Sequence, residues 1–171
     1  DYPKQFIDML GNGSSLLQTT FSRLEKIVPS ENIYIVTQLR YQKIILGQLG
    51  GKLNEDQIIS EPDRRNTAPC ILLASLKIQK RNPDAKIIVS PSDHSIQNEV
   101  IFKSDMEFAL ASARNENLIT FGIVPTFPAT GFGYVSVKAD DNRLKTVLEF
   151  TEKPDENKAK SLIDSGNYYW N

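Results

Sequence analysis

Residues 87–96 read IIVSPSDHSI. Ile87, Ile88 and Val89 form a short apolar run that stops at Ser90 and Pro91, and an acid and an imidazole, Asp93 and His94, follow at once. A β-branched run closed by a turn signal predicts a strand over 86–90. Whether that strand is one of a series decides the fold.

The flanking sequence supplies the series. On the N-terminal side, after the turn signal GNGSS, Ser14 is placed to cap a helix whose stripe of Leu17, Phe21, Leu24 and Val28 runs until Pro29. NIYIV (32–36) reads as a buried strand, YQKIILGQL as a short amphipathic helix closed by Gly50 and Gly51, and QIIS (57–60) as another strand. From Asn66 the pattern is helical, with Asn66 or Thr67 as cap and Pro69 in the first turn. Ile71, Leu72, Leu73, Leu76 and Ile78 make it apolar on several sides, which predicts a largely buried helix.

Beyond the central strand, residues 98–114 carry Phe102, Met106, Ala109 and Ala113 on one helical face, and NLITFGI (117–123) reads as a strand. GYVSV, the turn ADDN and KTVLEFTEK then form a hairpin, PDENKAKSLIDSG a helix, and the chain closes on the strand-like YYWN. This alternation predicts an α/β fold, a doubly wound, mostly parallel, Rossmann-like sheet with helices on both faces and a small antiparallel hairpin addition, in one domain over 1–171. Right-handed crossovers bring the carboxyl ends of the parallel strands to one edge, where ligands bind. Asp93 and His94 therefore stand where a side chain can leave the core and meet a ligand.

Composition narrows the chemistry. Lys plus Arg total 20 against 21 for Asp plus Glu, and the net charge of −1 gives no electrostatic basis for general binding to nucleic acid or acidic membranes. Phosphate chemistry, if present, must be local. With one cysteine, Cys70, and one histidine, neither an internal disulfide nor a Cys/His zinc site can form. No apolar run approaches the ~18 residues of a membrane helix, and a soluble, cytoplasmic protein is expected.

Four stretches could carry chemistry. An aspartate after a buried strand suits Mg²⁺ held against phosphate oxygens, though a turn or helix cap has the same signature. His94 has no identifiable partner, which favours fixing the loop over acting as a general base. EPDRRNTAP (61–69) runs into a helix N-terminus, suited to anions or the polar edge of a base. Glu61 can accept from a guanine N1–H and amino group, and Arg65 can donate to O6 or N7; a capped helix behind a solvated charge cluster is the alternative.

In FTEKPD (150–155), Glu152 and Lys153 are adjacent and point to opposite sides of an extended chain unless the strand is kinked. Kinked, they could grip sugar hydroxyls and a sugar phosphate together; otherwise they are surface charge before a helix. TGFGY (130–134) offers Gly131 and Gly133 for close approach to a ligand or for a turn. Lys4 in YPKQF is one lysine among many.

Read in order, PKQF, EPDRRNTAP, VSPSDH, ATGFGYV, FTEKPD and YYWN closely resemble the mannose-1-phosphate guanylyltransferases of the sugar nucleotidyltransferase superfamily, along essentially the whole chain. The resemblance implies formation of GDP-mannose and pyrophosphate from GTP and mannose 1-phosphate, by in-line attack at the α-phosphorus. By matching motif it makes Asp93 the Mg²⁺ ligand and Lys4 a phosphate-charge stabiliser. Glu61, Asn66 and Thr67, with Arg65, become the base-recognition loop, Gly133, Glu152 and Asn171 the sugar site, and Lys153 the sugar-phosphate contact.

The implied partners are GTP and mannose 1-phosphate, neither nucleic acid nor membrane, with a homodimer as an option. The family pattern also includes a strand and a Gly-Thr-Arg loop before the position of Asp1 and a second metal-binding aspartate beyond Asn171. The 171 residues alone are accordingly expected to be inactive and poorly stable. Two other readings stay open: a noncatalytic nucleotide-sugar-binding regulatory subunit on the same scaffold, and a related pyrophosphorylase with another sugar 1-phosphate or nucleotide.

Overall fold

A computed structural model describes residues 2–63 and 65–171, which fall into two compact units, Asp1–Ala113 and Arg114–Asn171. In the first unit, helix α1 spans Leu16–Leu24 and is started by Ser15, one residue later than the sequence suggested. The Ser15 hydroxyl accepts from the Gln18 N–H at 3.2 Å while the Gln18 side chain accepts from the Ser15 N–H at 2.9 Å. That reciprocal pair satisfies two amide donors at once, which Ser14 has no partner to do. Leu16, Leu17, Thr20, Phe21 and Arg23 are its buried residues.

Strand β1 (Ile35–Gln38), helix α2 (Gln42–Leu49) and strand β2 (Ile58–Glu61) form a βαβ unit, the strands parallel with Ile35 opposite Ile58 and Gln38 opposite Glu61. Gly50, at φ 29°, ends α2 in the left-handed region that glycine enters without a Cβ clash. Phe6, Leu17, Phe21, Ile33, Ile45, Leu49, Leu53 and Ile58 share the core. Each such side chain contributes roughly 1.5–3 kcal/mol through its removal from water. The buried Gln57 amide donates to the carbonyls of Ser30 and Ile33 at 2.7 and 2.8 Å, tying the approach to β1 to the start of β2.

Helices α3 (Thr67–Arg81) and α4 (Glu99–Ser112) follow. The expected strand over 86–90 is extended sequence without a ladder: among the described residues no backbone hydrogen bond pairs it with a neighbour. A cavity of about 820 Å³ accounts for this. Residues 32–37 line one wall and 84–90 another, Leu17, Phe21 and Leu24 of α1 a third, and Ile71, Ala74 and Ile78 of α3 a fourth. A strand exists only by pairing, and β1 pairs on its other edge with β2. Helix α3 departs from expectation too: none of its residues is buried, and Leu72 and Leu76 are more than half exposed. Its apolar residues at 71, 74 and 78 face the cavity rather than a packed neighbour.

In the second unit, strands β3 (Gly133–Val137), β4 (Val147–Glu152) and β5 (Tyr168–Trp170) form an antiparallel sheet in the order β4-β3-β5. The hairpin is therefore part of a three-stranded sheet, completed by YYW on the free edge of β3. All five residues of β3 are buried. Helix α5 (Glu156–Asp164) is capped by the Asp155 carboxylate, which accepts from the Lys158 N–H at 2.8 Å, and it packs Ala159 and Leu162 against the fully buried Tyr134. The expected strand over 117–123 reduces to one bridge, Ile123 with Trp170. Leu118 is fully exposed, and contact with β5 and Asn171 begins only at Thr120.

The α/β class read from the sequence holds, with one parallel pair and a separate antiparallel sheet. Where sequence predicted further parallel strands at 86–90 and 117–123, the described residues contain chain without a parallel partner, 117–123 keeping one antiparallel bridge at Ile123.

Candidate functional site

Lys4 opens a single 3₁₀ turn, Lys4–Phe6, anchored by the buried Phe6 ring against Tyr41 with centroids 5.4 Å apart. With the turn pinned by Phe6, the Lys4 side chain reaches outward, and its Nζ lies 2.8 Å from Asp93 Oδ2. The Lys4 hydrogen bond holds the Asp93 carboxyl below its usual range; partial burial opposes this, and the charges of Lys4 and His94 reinforce it. Asp93 is thus an anion already matched to a cation, on a side chain 30% exposed.

The His94 imidazole is exposed, but its backbone carbonyl accepts from Arg23 Nη2 at 3.2 Å. Arg23 is 2% exposed, and burial pushes its pKa down. Sequence reasoning overlooked this residue. Leu16, Thr20 and Arg23 follow i, i+4, i+7 spacing and all three are buried, so a cation stands in an inward row of α1 that Leu16 alone marks as apolar in the sequence.

The second cluster lies at the end of β2. Glu61 closes the strand, and Asn66 has φ 67°, a left-handed conformation that turns the chain into α3 at Thr67. The Asn66 side chain makes no cap hydrogen bond, and Asn66 and Thr67 are exposed at the helix start. Arg65 pairs with Asp63 at 3.2 Å, both exposed. Glu61, Pro62, Asp63, Arg65, Pro69 and Leu73 line a cavity of about 260 Å³. Burial pushes the Cys70 thiol pKa up, and the charge and hydrogen bond of Glu61 push it further.

In the second unit four of the predicted sugar-site residues meet. Gly133 and Glu152 are register partners, and the Gly133 N–H donates to the Asn171 carbonyl at 3.1 Å while the Asn171 N–H donates back at 2.8 Å. A Cβ on Gly133 would lie 2.6 Å from the tip of the exposed Phe150 ring and 3.2 Å from the Asn171 carbonyl, so a larger residue would have to displace that ring and crowd the backbone at the end of β5. The Asn171 amide donates to Thr120 Oγ1 and to the Phe121 carbonyl. Lys153 sits at φ 43°, and this kink puts its Nζ 3.0 Å from Glu152 Oε1. The two neighbours thus project to the same side, the condition sequence set for their acting as a pair. Gly131 has open space at its Cβ position and is not constrained in this way.

Six of the predicted residues thus fall into two close groups, Lys4 with Asp93 in the first unit and Gly133, Glu152, Lys153 and Asn171 in the second. Glu61, Arg65, Asn66 and Thr67 form a third, looser group on the β2–α3 loop. Among the described residues no three His, Cys, Asp or Glu side chains cluster as a metal site, and no helix is long and apolar enough to cross a membrane.

In open α/β folds the loops at the carboxyl ends of parallel strands are where ligands bind, and the Glu61 loop after β2 stands at such an end. The family model for nucleotidyl transferases matches residues 1–171, and the chain belongs to that family. It is 40% identical over 99% of its length to a mannose-1-phosphate guanylyltransferase of Salmonella montevideo, of which it covers 37%. It is 39% identical to the xanthan biosynthesis protein XanB of Xanthomonas campestris pv. campestris strain B100, covering 36% of that protein. The chain thus spans little more than a third of the length of these relatives. Among solved structures, that of a mannose-1-phosphate geranyltransferase from Thermus thermophilus matches with a TM-score of 0.87 and 27% identity, over 99% of this chain and 48% of that one. A mannose-6-phosphate isomerase from Helicobacter pylori matches with a TM-score of 0.82 and 30% identity, over 99% and 63%.

Proposed function

We propose that the chain is the nucleotidyltransferase portion of an enzyme that makes GDP-mannose and pyrophosphate from GTP and mannose 1-phosphate. The observation that carries this reading is the Lys4–Asp93 pair, in a chain about 40% identical along its whole length to mannose-1-phosphate guanylyltransferases. In the reaction a phosphate oxygen of the sugar attacks the α-phosphorus of GTP, the bond from that phosphorus to the bridging oxygen of the leaving group breaks, and pyrophosphate departs with the electron pair. No covalent enzyme intermediate forms, so the protein acts by positioning and by neutralising charge.

The donor set fits Mg²⁺. Asp93 supplies one ionised, partly exposed carboxylate, and Mg²⁺ in nucleotide sites is usually held by one or two carboxylates together with phosphate oxygens and water. When bound, the ion polarises phosphate oxygens and offsets their charge. Lys4 then exchanges its partner, turning from Asp93 to the phosphates. Glu61 and Arg65 recognise guanine at the β2–α3 loop, and the exposed N–H groups of Asn66 and Thr67 add donors there. Glu152 and Asn171 take the mannose hydroxyls, Gly133 lets the sugar approach the backbone, and Lys153 holds the sugar phosphate. A cytoplasmic setting belongs to the same reading.

The test is pyrophosphate release by the protein in its natural full length, with GTP, ATP, UTP and dTTP compared beside mannose 1-phosphate. GTP should exceed the others by at least about tenfold, the discrimination that one buried, hydrogen-bonded polar contact supplies. Equal rates with all four would remove guanine recognition from the account. Binding of GDP-mannose without any turnover would make the protein a sensor instead.

A further inference from the structure

We infer that Arg23 is a positioning residue: from inside the core it fixes the backbone turn that aims Asp93. The inference rests on the proposed role of Asp93. It starts from an energetic oddity. A guanidinium 2% exposed has left water, yet only Nη2 finds acceptors, Thr20 Oγ1 at 3.0 Å and the His94 carbonyl at 3.2 Å. Its Nε and Nη1 have no hydrogen-bond partner among the described residues. Burying a cation with unpaired donors is costly even with the charge of Glu99 on α4 acting in its favour, and an apolar side chain of similar volume would pack there at lower cost. Packing alone therefore does not account for an arginine at this position.

The acceptor it reaches explains the choice. Residues 91–97 run between an unpaired extended segment and α4, and among the described residues the Arg23 hydrogen bond is the one made to their backbone by a side chain elsewhere in the fold. Its target is the carbonyl of the residue immediately after Asp93. Arg23 is itself held from two sides, by Thr20 one turn earlier on α1 and by the Phe102 ring of α4, which lies 5.3 Å from the guanidinium carbon. Asp93 is thus set at two points, its carboxylate by Lys4 and its backbone by Arg23. Lys4 must leave when phosphates arrive. Arg23 remains, keeping the carboxylate in place while its counter-ion changes.

The experiment uses the full-length protein with R23M and R23K, read by amide hydrogen exchange and by steady-state kinetics. R23M should speed exchange at residues 92–96 by at least about tenfold while β2 and α2 keep their protection. Its kcat should fall by about 10–100-fold with the KM for GTP changed less than about threefold, and half-maximal activity should need more Mg²⁺. R23K keeps one charged donor nitrogen without the planar fork and should show the same pattern at smaller size. If R23M does not fold, R23K carries the test, with exchange at 92–96 faster by about threefold or more and β2 unaffected. A uniform rise in exchange across the first unit, or unchanged exchange at 92–96, overturns the inference. Exchange does not depend on catalysis, so full activity of D93N would remove the proposed role of Asp93 and leave the Arg23 result readable by itself.

Discussion

Lys4 Nζ and Asp93 Oδ2 lie 2.8 Å apart, joining the first turn of the chain to the loop after its central apolar segment. Neither residue is placed by its own neighbours in sequence alone. Lys4 depends on the burial of Phe6, and Asp93 on the carbonyl held by Arg23.

Replacing Asp93 by Asn keeps the shape of the side chain and removes its charge. Turnover by the full-length protein should fall by about 100-fold or more, the scale on which loss of one electrostatic stabiliser acts. The melting temperature should stay within a few degrees of the parent. A parallel collapse of stability would move Asp93 from chemistry to folding.

The same pair makes a pH prediction. The folded-state pKa of Asp93 is below the ordinary value of 3.8, so its contribution to stability is present above that value and is lost as pH falls through the lower folded value. Urea unfolding at about pH 6 should show K4M weaker than the parent by ~0.2–1 kcal/mol, the range of a partly exposed pair. Below the lowered folded pKa of Asp93 the two should coincide, and a difference persisting there would mean that Lys4 stabilises by something other than its charge.

Lys153 offers a trade between stability and function. Its φ of 43° costs a non-glycine residue about 1–2 kcal/mol, so K153G should raise stability by up to about 1 kcal/mol. It also deletes the ammonium beside Glu152, and the KM for mannose 1-phosphate should rise by about tenfold or more. Thermal melts and sugar-phosphate titrations separate the two effects; unchanged KM would dismiss Lys153 as a phosphate contact.

Residues 87–89 should exchange their amides rapidly, since no ladder protects them, whereas Ile58 and Ile59 in β2 should exchange slowly. Exchange-coupled mass spectrometry reads this directly. Slow exchange at 87–89 would mean that a partner strand occupies the cavity beside them.

What sequence revealed and concealed divides along physical lines. QIIS reads as a strand over 57–60 and is paired over 58–61, and FTEKPD already poses the condition, a kink, under which Glu152 and Lys153 could act together. Such features depend on local propensity and on turn chemistry. The unpaired state of KIIVS could not be read there, because pairing is a property of neighbours and not of the run itself. The choice of Ser15 over Ser14 turned on one reciprocal hydrogen bond with Gln18. Arg23 was hidden by its type: a cation in an amphipathic helix reads as solvent-facing until the far side of the helix proves to be buried.

The most direct test of the central claim is pyrophosphate release from GTP and mannose 1-phosphate by the full-length protein, beside its D93N variant, across a range of Mg²⁺ concentrations. The account predicts Mg²⁺-dependent release by the parent and a loss of about 100-fold or more in the variant, with fold intact. Equal release by both proteins, or release by the parent that is indifferent to Mg²⁺, would contradict it.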